Sequence, residues 1–420
     1  MKNLQKHPSV RNILVVVAAA LWLGACGGSQ KAKPRFYDID AGTPAGVALE
    51  SWLAGDEEAA AKILQTPSTS PEHAFIAGEI AYGEGDVETA FDRYGYVVSK
   101  FPDHAFTRYA AARLYTLRDT VRDFPERAAK VLDATDTTRL DPLARAYIAM
   151  AEQAVIFRTW DRSENGAPFE GSAIGFPDRW NLTPSFSPFR LTAFDAEYPP
   201  QKTASLEPTY LSPDFAADDP RNYEKTKPFF PSGLSLSPPA SRDGVHFLET
   251  FATVDQAREV WVYGNFSGRT QVWIDGVQVM DRTEEDYQTG KRLRKIRLSA
   301  GTHRVLVKLA VQRGYRDWFD LQFIPAGPVT RTGLVFESGC LTDRLISPCH
   351  EGGASKDAQV EMLTESVMPS ALEPVFVPAE NIAESGDLSL YLTMLGAYFS
   401  AEDAVFDQVW EALAKRRPEF

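Results

Sequence analysis

Residues that usually carry chemistry are scarce in this chain. It has 3 cysteines and 6 histidines in 420 residues. The histidines (His7, His73, His104, His246, His303 and His350) are scattered, with no His-Glu-x-x-His pair to hold a metal on one helix face. There is no Gly-x-Ser-x-Gly elbow to expose a nucleophile and no glycine loop of the kind that cradles phosphates. Paired carboxylates mean little among 57 acidic residues. The expected set of catalytic residues, cofactors and metal ligands is therefore empty, and the chain does not read as an enzyme. An excess of basic charge is also missing. The net charge is -13 and the pI about 5.1. A phosphate backbone needs a clustered basic face, so nucleic acid is not an expected partner. The one basic run, Lys291-Arg292-Leu293-Arg294-Lys295-Ile296-Arg297, is interrupted by Leu293 and Ile296 at near-strand spacing. It reads as the outer face of a strand, with contact to an anionic ligand as the other reading. The uninterrupted apolar run Ile13 to Trp22 is too short for a transmembrane helix. What remains is ordinary globular composition, with room for two or three domains.

The first residues read as a targeting segment. Lys2, Lys6 and Arg11 give a positive start, the apolar run follows, and Leu23-Gly24-Ala25-Cys26 closes it. This combination resembles the bacterial lipobox. The resemblance implies a signal peptide over 1–25 and lipidation at Cys26. With Gly27 rather than Asp after the Cys, it implies an outer-membrane lipoprotein of the bacterial cell envelope, its partner membrane held through acyl chains. Residues 26–44 then form a tether. Export sets an oxidising compartment, where Cys340 and Cys349 are a disulfide candidate within one loop. Two thiols, or a Cys340/Cys349/His350 metal site short of a fourth ligand, are the alternatives.

Residues 45–160 carry helical periodicity with repeated punctuation. Gly55-Asp56-Glu57-Glu58-Ala59-Ala60 is echoed by Gly85-Asp86-Val87-Glu88-Thr89-Ala90. Gly85 permits a tight turn, small Ala77, Gly78, Ala81 and Ala90 permit close helix approach, Tyr94 and Val97 fill the space beneath, and Pro102 stops the second helix. Pro71 to Ala105 resembles a tetratricopeptide repeat. The resemblance carries Gly78, Tyr82, Gly85, Ala90, Tyr94 and Pro102 as repeat positions and implies a protein-binding scaffold. A degenerate copy precedes it. Phe106–Leu117, Pro125–Leu132 and Pro142–Phe157 predict further helices. A plain helical bundle that only supports the next domain is the other reading.

Residues 161–240 hold 13 of the 28 prolines, which excludes long helix and disfavours central strands. Phe176, Trp180, Phe186, Phe189, Leu191, Phe194 and Tyr198 supply anchors for an ordered irregular wrap with edge strands. Residues 241–327 alternate as short strands: Val245–Thr253, Glu259–Asn265, Thr270–Ile274, Val277–Met280, Leu293–Leu298, Thr302–Ala310 and Trp318–Ile324. Asp275-Gly276 supplies a two-residue hairpin turn. His246 and His303 fall on these strands and read as structural histidines that could be neighbours. A Val-Trp-Ile-Asp-Gly-Val hairpin followed by Leu-x-x-Gly-x-His-x-x-x-Val-Lys resembles the jelly-roll of galactose-binding-like and protective-antigen-type modules. The resemblance implies a β-sandwich with a glycan as candidate partner. Trp261, Trp273 and Trp318 are its sugar-stacking candidates, with core burial as the alternative for each. Asp281, Glu284, Glu285 and Asp286 read as a solvated loop rather than a calcium site.

Residues 328–380 read as an irregular linker and 381–420 as a partial helical repeat, whose exposed apolar flank would need a further repeat or a partner. The expected architecture is multidomain α+β: N-terminal helical hairpin repeats, a central antiparallel sandwich and a short C-terminal helical segment. Two roles follow as expectations: a non-catalytic protein-binding scaffold or a carbohydrate-binding lipoprotein.

Overall fold

The computed structural model describes residues 42–65, 69–159, 171, 174–187, 189, 192–211, 223–229, 243–282, 290–311, 319–327, 329, 331–340, 350–351, 353–364, 385–400 and 403–416. The architecture is α+β: among the described residues, helices come first and last, with antiparallel sheets between them.

Three helical hairpins come first, α1 (Pro44–Leu53) with α2 (Glu57–Leu64), α3 (Pro71–Gly83) with α4 (Val87–Lys100), and α5 (Thr107–Thr116) with α6 (Phe124–Asp133). The longer α7 (Pro142–Thr159) follows. The two Gly-Asp pairs do the same job twice. Gly55 and Gly85 sit at φ +78° and +82°, where only glycine is unstrained. Asp56 and Asp86 then cap the next helix, accepting from the Ala59 and Thr89 amides. Ser70 caps α3 in the same way, with Pro71 in the first turn. Phe75 stacks on Phe106 at 4.7 Å, and Phe91 meets Phe124 edge-on at 5.8 Å, tying the second hairpin to the third.

The β region contains two facing sheets. The larger runs β4 (Lys227–Phe229), β1 (Trp180–Leu182), β5 (Gly244–Val254), β10 (Gly301–Val311), β7 (Thr270–Ile274), β8 (Val277–Arg282). The smaller runs β11 (Phe319–Pro325), β6 (Arg258–Phe266), β9 (Gly290–Leu298), β13 (Val360–Met362). A two-stranded ribbon joins β2 (Thr209–Leu211) to β3 (Tyr223–Lys225). Val272, Ile274, Val305 and Val307 of the first sheet share a core with Val262, Ile296, Phe319, Leu321 and Phe323 of the second. Asp275 (φ +50°) and Gly276 (φ +79°) make the β7–β8 turn as the sequence predicts. A register shift near Trp273 places both Val279 and Met280 in the core.

Three expectations change. The stretch 328–380 is not only linker: β12 (Leu334–Glu337) pairs along β5, and β13 pairs along β9, so it adds an edge strand to each sheet. The basic run lies on β9 but does not form one outer face. Leu293 is buried towards the helices while Ile296 and Leu298 are buried between the sheets, so its cations divide between the two sides. Lys295 and Arg297 are paired with Glu259, Arg297 also with Glu361, and Arg294 donates to the Thr364 and Val279 carbonyls. Finally, β5 and β10 pair, but His303 lies opposite Ala252 and His246 opposite Leu309, six positions along β5 and therefore ~20 Å away.

The wrap is pinned to the outer face of the larger sheet by a row of cations. Arg304 donates to Glu249 at 2.6 Å and to the Thr203 and Pro200 carbonyls. Lys308 donates to the Ala196 carbonyl at 2.8 Å and lies over the rings of Phe194 and Tyr198. Arg269 holds Asp195. Burial pushes the Lys308 ammonium down to about 8 and raises the Glu249 carboxyl, against the pull of Arg304.

Candidate protein-binding groove

The first helices of the three hairpins, α1, α3 and α5, line one face of the helical layer. Two C-terminal helices, α8 (Asp387–Ser400) and α9 (Asp403–Arg416), pair with each other, and α8 lies across α1 and α5. Leu390, Tyr391, Met394 and Leu395 of α8 are buried in the same apolar cluster as Leu49, Phe75 and Ile80. Trp52 of α1 meets the Tyr391 ring edge-on at 5.9 Å.

At the floor of this groove sits an ion pair. Arg113 of α5 donates twice to Glu79 of α3, at 2.9 and 2.8 Å. Tyr94 donates to Glu79 at 2.7 Å and Tyr391 at 3.1 Å. The Arg113 guanidinium also stacks over the Tyr82 ring at 4.3 Å. Glu79 is 1% exposed, so the carboxylate depends on these donors. Burial works against the Arg113 charge, but the Glu79 carboxylate outweighs it and holds the guanidinium firmly protonated. Burial, followed by the Glu79 charge, drives the Tyr94 and Tyr391 phenols well above the usual range, so both stay neutral donors.

Of the residues named from the sequence, Gly78, Tyr82 and Tyr94 lie at this pair, and Ala90, Gly85 and Pro102 serve the hairpin around it. Gly78 faces Tyr94 so closely that a Cβ would stand 2.7 Å from the ring. Ala90 and Tyr94 are fully buried, Tyr82 is half-buried, Gly85 makes the turn, and Pro102 follows the end of α4. Sequence reasoning missed Glu79, Arg113 and Tyr391. The available signal was an isolated Glu within the apolar run Ala74-Phe75-Ile76-Ala77-Gly78-Glu79-Ile80-Ala81, a position that burial permits only with a partner.

The other candidates lie elsewhere. Trp261 is half-buried against the helical cluster, and Trp273 is half-buried against the cluster that holds Phe194 and Phe247. Trp318 lies outside the described residues, as do Cys26, Cys349, Glu284, Glu285 and Asp286. Asp281 is exposed on β8. Cys340 is disulfide-bonded. Its amide donates to the His350 carbonyl, and the His350 amide donates back to the Ser338 carbonyl, which brings Cys340 and His350 side by side. Among the described residues no helix is long and apolar enough to cross a membrane, and no cluster of His, Cys, Asp and Glu could hold a metal ion. A scan against protein-family models returns no match, and neither does a comparison with curated proteins.

Proposed function

We propose that the chain is a non-catalytic, lipid-anchored protein of the bacterial envelope whose helical layer is a protein-binding scaffold. In this reading the hairpins are a tetratricopeptide-like stack and the two facing sheets a jelly-roll carried beside it. Cys26 bears the lipid and the outer membrane is the destination. One observation carries the scaffold role: the face of α1, α3 and α5 already holds a largely apolar helix, α8, through apolar contacts and a buried polar anchor. A surface that seats one helix this way has the shape and chemistry of a helix-in-groove receptor. The carbohydrate reading gains no such support, because Trp261 and Trp273 are engaged with neighbouring apolar clusters.

The test is photo-crosslinking in intact cells from the exposed positions Val47 and Glu50 of α1 and Thr116 of α5, on helices that line the groove. The expected result is capture of the same protein from more than one position. Capture of nothing from any of the three removes the scaffold reading. Anchoring is tested separately: Cys26→Ala should move the chain from the membrane fraction to the soluble fraction and abolish incorporation of labelled fatty acid.

A further inference from the structure

The groove occupant comes from the far end of the chain. Tyr391 and Glu79 are 312 positions apart. The receptor half is complete without it. Glu79 takes two bonds from Arg113 and one from Tyr94, and the Tyr391 bond is the longest of the four. Withdrawing Tyr391 therefore leaves the carboxylate neutralised and still hydrogen-bonded, and no buried charge is stranded. The inserted half has a simple chemistry. Over Asp387–Ser400 the helix has one charged residue, Asp387, and two tyrosines, of which Tyr391 is buried together with Leu390, Met394 and Leu395. Its companion α9 carries Phe406 and Trp410 stacked in parallel, with Trp410 41% exposed.

We propose that this groove binds a largely apolar helix of a partner protein, one that presents a tyrosine among aliphatic residues and carries little charge, and that residues 387–400 are a displaceable in-chain occupant. This rests on the scaffold reading and adds both the class of ligand and its regulation. The partner helix takes the place of α8, its tyrosine donating to Glu79. Because α8 competes at an effective concentration set by its tether, the partner's apparent affinity is lowered by the fraction of time the groove is closed.

Two measurements on the full chain test this. The first is hydrogen exchange on the wild type. Amides of 387–416 should exchange through an opening easier than the one that exposes 71–100. If both segments exchange together, only in global unfolding, α8 is a permanent part of the core and the proposal fails. The second uses a labelled synthetic peptide of residues 385–416 as probe. It should bind the Tyr391→Phe/Met394→Asp variant at least about ten-fold more tightly than the wild type. Absence of binding to a variant that keeps wild-type exchange at 71–100 overturns the proposal; if the variant does not fold, the wild-type exchange decides. The two readings fail in different ways. Crosslinked partners with an α8 that never opens alone would leave the scaffold and remove the displacement. An α8 that opens, with peptide binding but no crosslinked partner, would remove the scaffold reading and with it the partner helix, and leave α8 as an in-chain clasp.

Discussion

At His303 both ring nitrogens face acceptors: Nδ1 the Asp275 carboxylate at 2.6 Å and Nε2 the Ser299 carbonyl at 2.8 Å. Only an imidazolium can donate to both. Burial alone would lower this pKa, but the Asp275 and Ser299 bonds outweigh it and hold it above the ordinary value. A folded pKa above the unfolded one stabilises the protein fully below the unfolded value, about 6.5, and the contribution disappears as pH rises through the folded value. Thermal denaturation should therefore show Tm falling as pH is raised from about 6 through the raised folded pKa. Asp275→Asn, which tolerates the positive φ, should flatten that dependence; an unchanged slope would show that His303 does not cause it. Gly78 gives a second residue-scale prediction. Ala would gain about 1 kcal/mol in helix propensity. It would also place a Cβ 2.7 Å from a Tyr94 ring whose hydroxyl is held by Glu79. Overpacking of this kind costs about 1–3 kcal/mol, so Gly78→Ala should destabilise on balance in urea denaturation.

Between elements, Glu79 and Arg113 join α3 to α5. Arg113→Leu leaves a buried carboxylate with only phenol donors and should cost about 3–5 kcal/mol, whereas Glu79→Leu/Arg113→Leu should recover most of that loss. A double-mutant cycle by chemical denaturation reads the coupling directly; additive losses would mean the two charges do not act as a pair. This pair also marks the limit of what the sequence discloses. Strands β5 to β11 and helices α1 to α7 were legible because alternation, periodicity and Gly-Asp punctuation are local signals, each written within a few neighbouring residues. The close approach at Gly78 and the burial of Ala90 and Tyr94 were legible for the same reason. The partner of Glu79 lies 34 positions away in one case and 312 in the other, and no local pattern encodes that distance. Strand order, the edge strands β12 and β13, and the fate of Trp261 were hidden likewise, since each depends on which surface comes to lie against which.

On the scale of the whole molecule, the helical layer and the smaller sheet meet at an unusual seam. The alternation on β11 sends Phe319, Leu321 and Phe323 between the sheets, so its polar side must face the other way. That side is not in water. Gln322 is 0% exposed, and neither its Nε2 nor its Oε1 has a hydrogen-bond partner among the described residues. Tyr263, directly opposite on β6, packs into the helical cluster, and its Oη has no partner there either. Close by, Lys291 of β9 reaches across to the Tyr147 hydroxyl of α7 at 2.9 Å, and Arg145 of α7 donates to the Pro325 and Gly327 carbonyls. The seam is therefore clamped at those points and under-satisfied at Gln322. An unpaired buried polar group costs about 1–3 kcal/mol, and an apolar group of similar size removes that cost. Gln322→Leu should raise stability by about 1–2 kcal/mol, measured as a higher urea midpoint at unchanged slope. A loss of similar size would mean that Gln322 is satisfied in solution by ordered water held between the layers. The sign of one substitution thus decides whether the helical layer rides on the sheet through a dry contact or a hydrated one.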